Sequence, residues 1–287
     1  MLDATPAAPV TRLNPGLAGG AARECSAREL LAGFRGYLED LGAEVDRVRL
    51  DGQFRRALDA MALFWRYSPT NEWLILRARP DATRVAGRRV WARLGRTVKP
   101  GETPIEILAP MSPTGFPFRV VEVFDQRQTR GRRVARLDLE LRGRTRKVAL
   151  LERAAKKLGV RVIDRAHAGA VGVSFGGEIH QRPGLPQRER TAVLAHELAH
   201  ELLHQRDPND RRSHAEVETE AEATSYVVLR ALGLPSKAPA YIAWSGGSGV
   251  RIARSFGRIQ RAARTILEAA QAPVSGIARA APDLVPS

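Results

Sequence analysis

The chain has 287 residues, 44% of them apolar, enough to build two domains with real cores. Its 46 Lys and Arg against 31 Asp and Glu leave a formal charge of +15 at pH 7, which points to a polyanionic partner and away from a strongly acidic protein. A single cysteine, Cys25, excludes an internal disulfide framework and any zinc site built from several thiolates, and it suits a reducing compartment.

No apolar run is long enough to span a bilayer, and residues 1–20 lack the basic start, apolar core and cleavage site of a secretory signal. The expectation is a cytoplasmic protein with no membrane partner. Residues 1–25, rich in Ala, Pro and Gly, are expected to form a disordered lead-in. From Cys25 to about Tyr67 apolar residues recur at helical spacing: Leu30, Leu31, Phe34, Leu38 and Leu41, then Phe54, Leu58, Met61 and Phe64. This predicts two helices with a break near Asp51-Gly52. A turn over Ser68 to Asn71 leads into a third helix through Trp73, Leu74 and Leu76. Strand-like pieces follow at Val90 to Ala92, Ile105 to Leu108 and Phe118 to Phe124, with turns at Pro100-Gly101 and Pro113-Thr114-Gly115.

Residues 26–130 are thus expected to form one domain with a small sheet. The stretch Gln126 to Lys147 holds nine Lys and Arg against two acids, Asp138 and Glu140, so 131–148 reads as a basic linker or hairpin. A second domain is expected over 149–271, with 272–287 a disordered tail. It opens with a helix from Ala149 to Leu158, a strand at Val160 to Ile163, and a hairpin of Ala170 to Phe175 with Glu178 to Gln181, turning at Gly176-Gly177. One helix then runs from near Pro186 to about Gln205. A second starts at Ser213, where Ser213 and Glu216 have capping-box spacing, and stops at Gly233. After the Gly-rich Ser245 to Gly249, a last amphipathic helix covers Val250 to Ala270, with Ile252, Phe256, Ile259, Ala263 and Ile266 inward and Arg251, Arg254, Arg258 and Arg261 outward. The whole is α+β.

His196-Glu197-Leu198-Ala199-His200 carries the chemistry. On a helix, residues four apart share a face, so His196 and His200 can present two imidazoles to one Zn²⁺ while Glu197 sits beside them as a general base. A catalytic zinc needs a third protein ligand and an open position. Candidates on the next helix are Glu216, Glu218, Glu220 and Glu222. Glu220 shares a face with Val217, Thr224, Val227 and Ala231, where an uncompensated charge is costly, so it is the favoured ligand, with Glu216 next; Glu218 and Glu222 fit a solvated face. His204 lies two turns below His196, too far to close the same tetrahedron, and is expected to be structural. His180 and His214 are candidates to steady an oxyanion, with ordinary polar packing as the alternative. Asp207, Asp210 and Glu216 are candidate acceptors for the second nitrogens of the ligating imidazoles.

Thr191 to His204, followed by Glu220 to Val228, resembles the zinc-peptidase-like domain of the IrrE/ImmA group. That resemblance implies a minimal gluzincin-like domain whose third ligand comes from an E-x-x-A pattern on the next helix. Residue by residue it implies His196, His200 and Glu220 as ligands and Glu197 as general base, with Tyr226 where the group commonly has Phe. The first half is similar to the N-terminal domain of ArdC-type antirestriction proteins, on Tyr67 to Asn71, Ala82 to Trp91, Leu94 to Glu102 and Val123 to Thr129. This resemblance implies a module that binds single-stranded DNA.

The residues themselves give a compatible reading. Arg77 to Lys99 holds eight Lys and Arg against one acid, Asp81, with Trp91 among them and Tyr67 and Trp73 just before. Cations that attract phosphate together with aromatics that stack unpaired bases suit single-stranded nucleic acid. Tyr67, Asn71, Trp73, Arg84, Arg88, Arg89, Trp91, Arg93, Arg96 and Lys99 are the candidate contacts. In the bland alternative, the tryptophans are core and the arginines a solvated face. The expected function is single-stranded-DNA binding joined to zinc-dependent peptide hydrolysis, in an antirestriction or mobile-element setting. The alternative is a non-enzymatic antirestriction or regulatory DNA-binding protein with a structural zinc.

Overall fold

The computed structural model describes residues 26–43, 47–112, 117–132, 147–205, 212–236 and 249–271. The expected lead-in and tail, nearly all of the 131–148 linker, the Pro113-Thr114-Gly115 turn, Ser245 to Ser248, and Asp207 and Asp210 lie outside these residues. The fold is α+β, as expected, with helices packed against small sheets. Among the described residues no helix is long and apolar enough to cross a membrane.

Three helices open the chain: α1 (Ala27–Ala43), α2 (Arg47–Leu63) and α3 (Pro69–Ala78). The break expected near Asp51-Gly52 is absent. A single helical glycine costs only about 1 kcal/mol, and Phe54, Leu58 and Met61 bury themselves against the core beyond it. Ser68 caps α3 by accepting the Asn71 N–H, with Pro69 in the first turn. A short strand β1 (Val85–Ala86) leads into α4 (Arg88–Arg93), which replaces the strand expected at Val90 to Ala92. The helical turn swings Trp91 into the core, where its Nε1–H donates to Phe124 O at 2.8 Å.

Next come β2 (Arg96–Val98), β3 (Ile105–Pro110), β4 (Phe118–Asp125) and β5 (Thr129–Gly131). β4 lies between β1 and β3, antiparallel to both, and β2 pairs with β5 as a separate two-stranded ribbon. Alternation along β3 and β4 turns Ile105, Ile107, Val121 and Val123 onto Leu74 and Ile75 of α3.

The second half holds α5 (Lys147–Lys157), β6 (Arg161–Asp164), β7 (Gly172–Ser174), β8 (Glu178–Gln181), α6 (Gln187–Leu203), α7 (His214–Ala231) and α8 (Gly249–Ala270). β8 is central, parallel to β6 and antiparallel to β7. The β7–β8 hairpin turns through Gly176 and Gly177, at φ 74° and 103°. Two successive positive φ values suit glycine at a two-residue turn. The capping box at the start of α7 forms: Ser213 Oγ accepts the Glu216 N–H, and the Glu216 carboxylate accepts the Ser213 N–H at 3.0 Å.

Packing does not follow the expected division of the chain. One core joins Leu38, Phe54, Leu58 and Met61 of α1 and α2 to Leu151, Leu194, Leu198, Val227, Phe256 and Ile266 of the second half. The β3–β4 sheet with α3 has its own core. Tyr226 ties the two halves again, its hydroxyl donating to Asp59 Oδ1 at 2.6 Å.

Candidate functional site

α6 turns His196 and His200 toward α7, with their Nε2 atoms 3.0 Å apart. The third residue that converges on them is Glu218, not Glu220. One Glu218 oxygen lies 3.5 Å from His196 Nε2 and the other 3.5 Å from His200 Nε2. His196, His200 and Glu218 form the one group of three among the described residues whose ligand atoms all lie within 4.8 Å of one another.

Glu220 sits on the other side of α7, with no exposure to solvent. Its carboxylate accepts from His204 Nε2 at 3.3 Å, from Arg258 Nε at 3.2 Å, and from Arg212. Burial works against its ionisation, but His204, Ser255, Arg212 and Arg258 outweigh burial and hold its pKa below the ordinary value. Glu220 is buried, as its apolar face implies, and its partners are His204, Arg212 and Arg258. Two arginines compensate the charge, one of them Arg258, which turns inward where the helical pattern of α8 places it outward. Glu216 is occupied as a helix cap, and Glu222 is exposed. Glu218 is the intermediate case, its side chain 37% exposed.

The donor set and its spacing fit a divalent ion. Two nitrogens held tetrahedrally by zinc at 2.0–2.1 Å lie about 3.3 Å apart, close to what the imidazoles and Glu218 already adopt. Burial first, then the other histidines, pushes the His200 pKa down to about 3. Burial also lowers that of His196, against the opposing pull of Glu218 and Glu222. Both rings are therefore neutral near pH 7, the ligating form.

Glu197 is buried beside the pair. Burial, then the charges of Glu218 and Glu201, raise its pKa to about 7. β7 passes directly over it at Gly172, where an added Cβ would meet Val193 Cγ1 at 2.4 Å and Glu197 Oε1 at 2.8 Å. The hairpin is fixed there by Glu201, whose carboxylate accepts from Ser174 Oγ and from the Gly176 and Gly177 N–H groups at 2.6–2.9 Å. Gly172, Glu201 and Arg258 carry no motif. Only the close-approach preference of glycine and an otherwise unexplained buried carboxylate mark the first two in the sequence.

His180 is not at the site. Its neighbour Ile179 faces the helical core, so His180 lies on the opposite face of the sheet, between Glu178 and His167, whose Nε2 is 2.6 Å from His180 Nδ1. His214, 89% exposed, stands at the rim with Nδ1 4.0 Å from Glu218.

The expected nucleic-acid contacts separate into two groups. Tyr67 donates its hydroxyl to Val85 O at 2.9 Å; burial pushes its pKa up to about 12. Asn71 is buried and exchanges two hydrogen bonds with the Leu108 backbone. Asn71 and Trp91 are buried and hold the fold together, while Tyr67 is half-buried. Trp73 is half-buried against Phe34 and Tyr37, with Arg77 5.0 Å over its ring. Arg84 is half-buried beside Asp125, which accepts its backbone N–H. Arg96 is turned inward onto Thr129, Gly131 and Arg132. Arg88, Arg89, Arg93 and Lys99 remain exposed, and the β2–β5 ribbon adds exposed Arg130 and Arg132 to them.

No family model matches the sequence, and no curated protein matches it. Among solved structures, the chain is similar to the antirestriction protein ArdC of plasmid R388 in a metal-free form, with a TM-score of 0.44 at 19% identity over 77% of this chain and 97% of the other. It is similar to the Mn(II)-bound form of the same protein with a TM-score of 0.45 at 18% identity, over 76% and 97%.

Proposed function

We propose that the protein is a zinc-dependent hydrolase of peptide bonds, with His196, His200 and Glu218 as ligands and Glu197 as the proton carrier. The observation that carries this reading is the convergence of two neutral imidazoles and one half-exposed carboxylate beside a buried glutamate. When bound, the ion supplies Lewis acidity toward a water and a carbonyl oxygen. Glu197 takes a proton from the attacking water as its oxygen adds to the carbonyl carbon. It returns that proton to the amine nitrogen as the C–N bond breaks.

The test is metal analysis together with hydrolysis of a peptide library by the purified full chain. Wild type is expected to hold one zinc per chain, Glu218→Ala and His196→Ala to lose it, and Glu197→Gln to keep it while hydrolysis falls at least about 100-fold. Retention of zinc by Glu218→Ala would remove the ligand assignment. Unchanged biological activity in Glu197→Gln would favour the non-enzymatic alternative, in which the zinc is structural.

A second reading concerns the basic half. Exposed Arg88, Arg89, Arg93, Lys99, Arg130 and Arg132 on α4 and the ribbon favour a nucleic-acid backbone as partner. On the resemblance to ArdC-type proteins, we take single-stranded DNA as that partner and antirestriction as the setting. Gel shift with the full chain is expected to show affinity that falls steeply with salt, and replacement of Lys99, Arg130 and Arg132 by Gln to shallow that dependence. Binding that is insensitive to salt would remove this reading.

A further inference from the structure

His204 and Glu220 do not face the ion site, yet both connect to it. His200 Nδ1 lies 3.0 Å from His204 Nδ1, and His204 Nε2 lies 3.3 Å from Glu220 Oε2. Glu220 in turn is paired with Arg258 and Arg212, and both arginines also donate to Leu203 O at the end of α6. Flanked by two guanidinium groups, the Glu220 carboxylate can only accept.

With His204 neutral, the direction of each proton in this chain of contacts follows. Because Glu220 accepts, His204 Nε2 carries the hydrogen. A neutral imidazole with its proton on Nε2 has a lone pair on Nδ1. His200 must then donate through Nδ1–H, and its remaining lone pair sits on Nε2, the nitrogen that meets His196 and Glu218. We infer that Glu220, through His204, fixes the tautomer of His200 that exposes Nε2 to a metal ion, and that both are positioning residues of the site. A carboxylate that orients a ligating histidine is a general device of metal sites; here a second histidine is interposed and the carboxylate is locked by an arginine from α8.

The relay rests on the proposal that His200 ligates an ion, and the two can be tested separately. Zn²⁺ is titrated into the full chain against a competing chelator for wild type, His204→Phe and His204→Gln. Phenylalanine fills the space without an acceptor, whereas glutamine can accept from His200 Nδ1–H through its oxygen and donate to Glu220 through its nitrogen. His204→Phe is expected to weaken zinc binding by about 10–100-fold, and His204→Gln to restore most of it. Long-range ¹H–¹⁵N spectra of the ion-free protein, with His200 assigned by His200→Ala, are expected to show its proton on Nδ1 in wild type and His204→Gln. Zinc affinity in His204→Phe equal to wild type, or a wild-type His200 protonated on Nε2, overturns the relay. A wild type that takes up no zinc overturns the metal reading, and the tautomer seen in that ion-free protein still decides the relay.

Discussion

Gly172 stands where β7 comes closest to α6, and nothing larger fits. Gly172→Ala is expected to destabilise the protein by about 1–3 kcal/mol and to displace Glu197, since its methyl group would meet Val193 and the carboxylate together. An unchanged melting temperature would mean that the hairpin is free to lift. Legibility also differs residue by residue at this site. The pairing of His196 with His200, and Glu197 beside them, follows from helical periodicity alone, which is local. The third ligand depends on how α7 is rotated against α6, which is not. On α7 E-x-x-A spacing occurs twice, as Glu218 to Ala221 and as Glu220 to Ala223, so the pattern cannot choose between two glutamates that face different partners. The carboxylate with the most apolar neighbours turned out to be neutralised by Arg212 and Arg258, the second of them from a helix nearly forty residues on.

Among the elements, the β7–β8 hairpin depends on one buried side chain. Glu201 satisfies Ser174 and two backbone amides of the turn, so Glu201→Ala is expected to cost about 2–3 kcal/mol. Hydrogen exchange should quicken selectively at Gly176 and Gly177. Protection there equal to wild type would show that the turn stands without it. Elements with a strong period were legible in the sequence: β3, β4, α6, α7 with its capping box, and α8. α4 was not, because six residues around a single buried tryptophan satisfy strand and helix spacing equally well, and the bond from Trp91 to Phe124 O decides between them.

The shared core makes the two halves one folding problem. Residues 26–132 alone would leave Leu38, Phe54, Leu58 and Met61 without their partners, so that fragment is expected to lack a cooperative unfolding transition; a sharp one would show that α1 and α2 fold by themselves. Sequence pattern could place these residues on apolar faces but could not say which half would cover them.

A buried acid also links the halves. Glu72 of α3 accepts from Gln260 of α8, and burial raises its pKa well above the ordinary 4.5, against the opposing effects of Gln260 and Arg264. The native state therefore retains a proton that the unfolded chain releases. The stability contributed by neutral Glu72 is complete below about pH 4.5 and is lost as pH rises through the raised native value. Glu72→Gln is expected to gain stability relative to wild type between pH 5 and pH 8 in urea unfolding. A difference that stays constant with pH would assign the effect elsewhere.

α8 is the element on which α1, α5 and α7 all pack, and it supplies Arg258 to Glu220 and Gln260 to Glu72. It is also the last of the described elements to be synthesised. At about 5–20 residues per second, α1 leaves the ribosome roughly 10–40 s before the helix it packs against exists. During that interval Leu38, Phe54, Leu58 and Met61 lack the cover that the second half gives them in the native core. Neither the buried glutamate nor the histidine beside it can be locked until translation has passed residue 258.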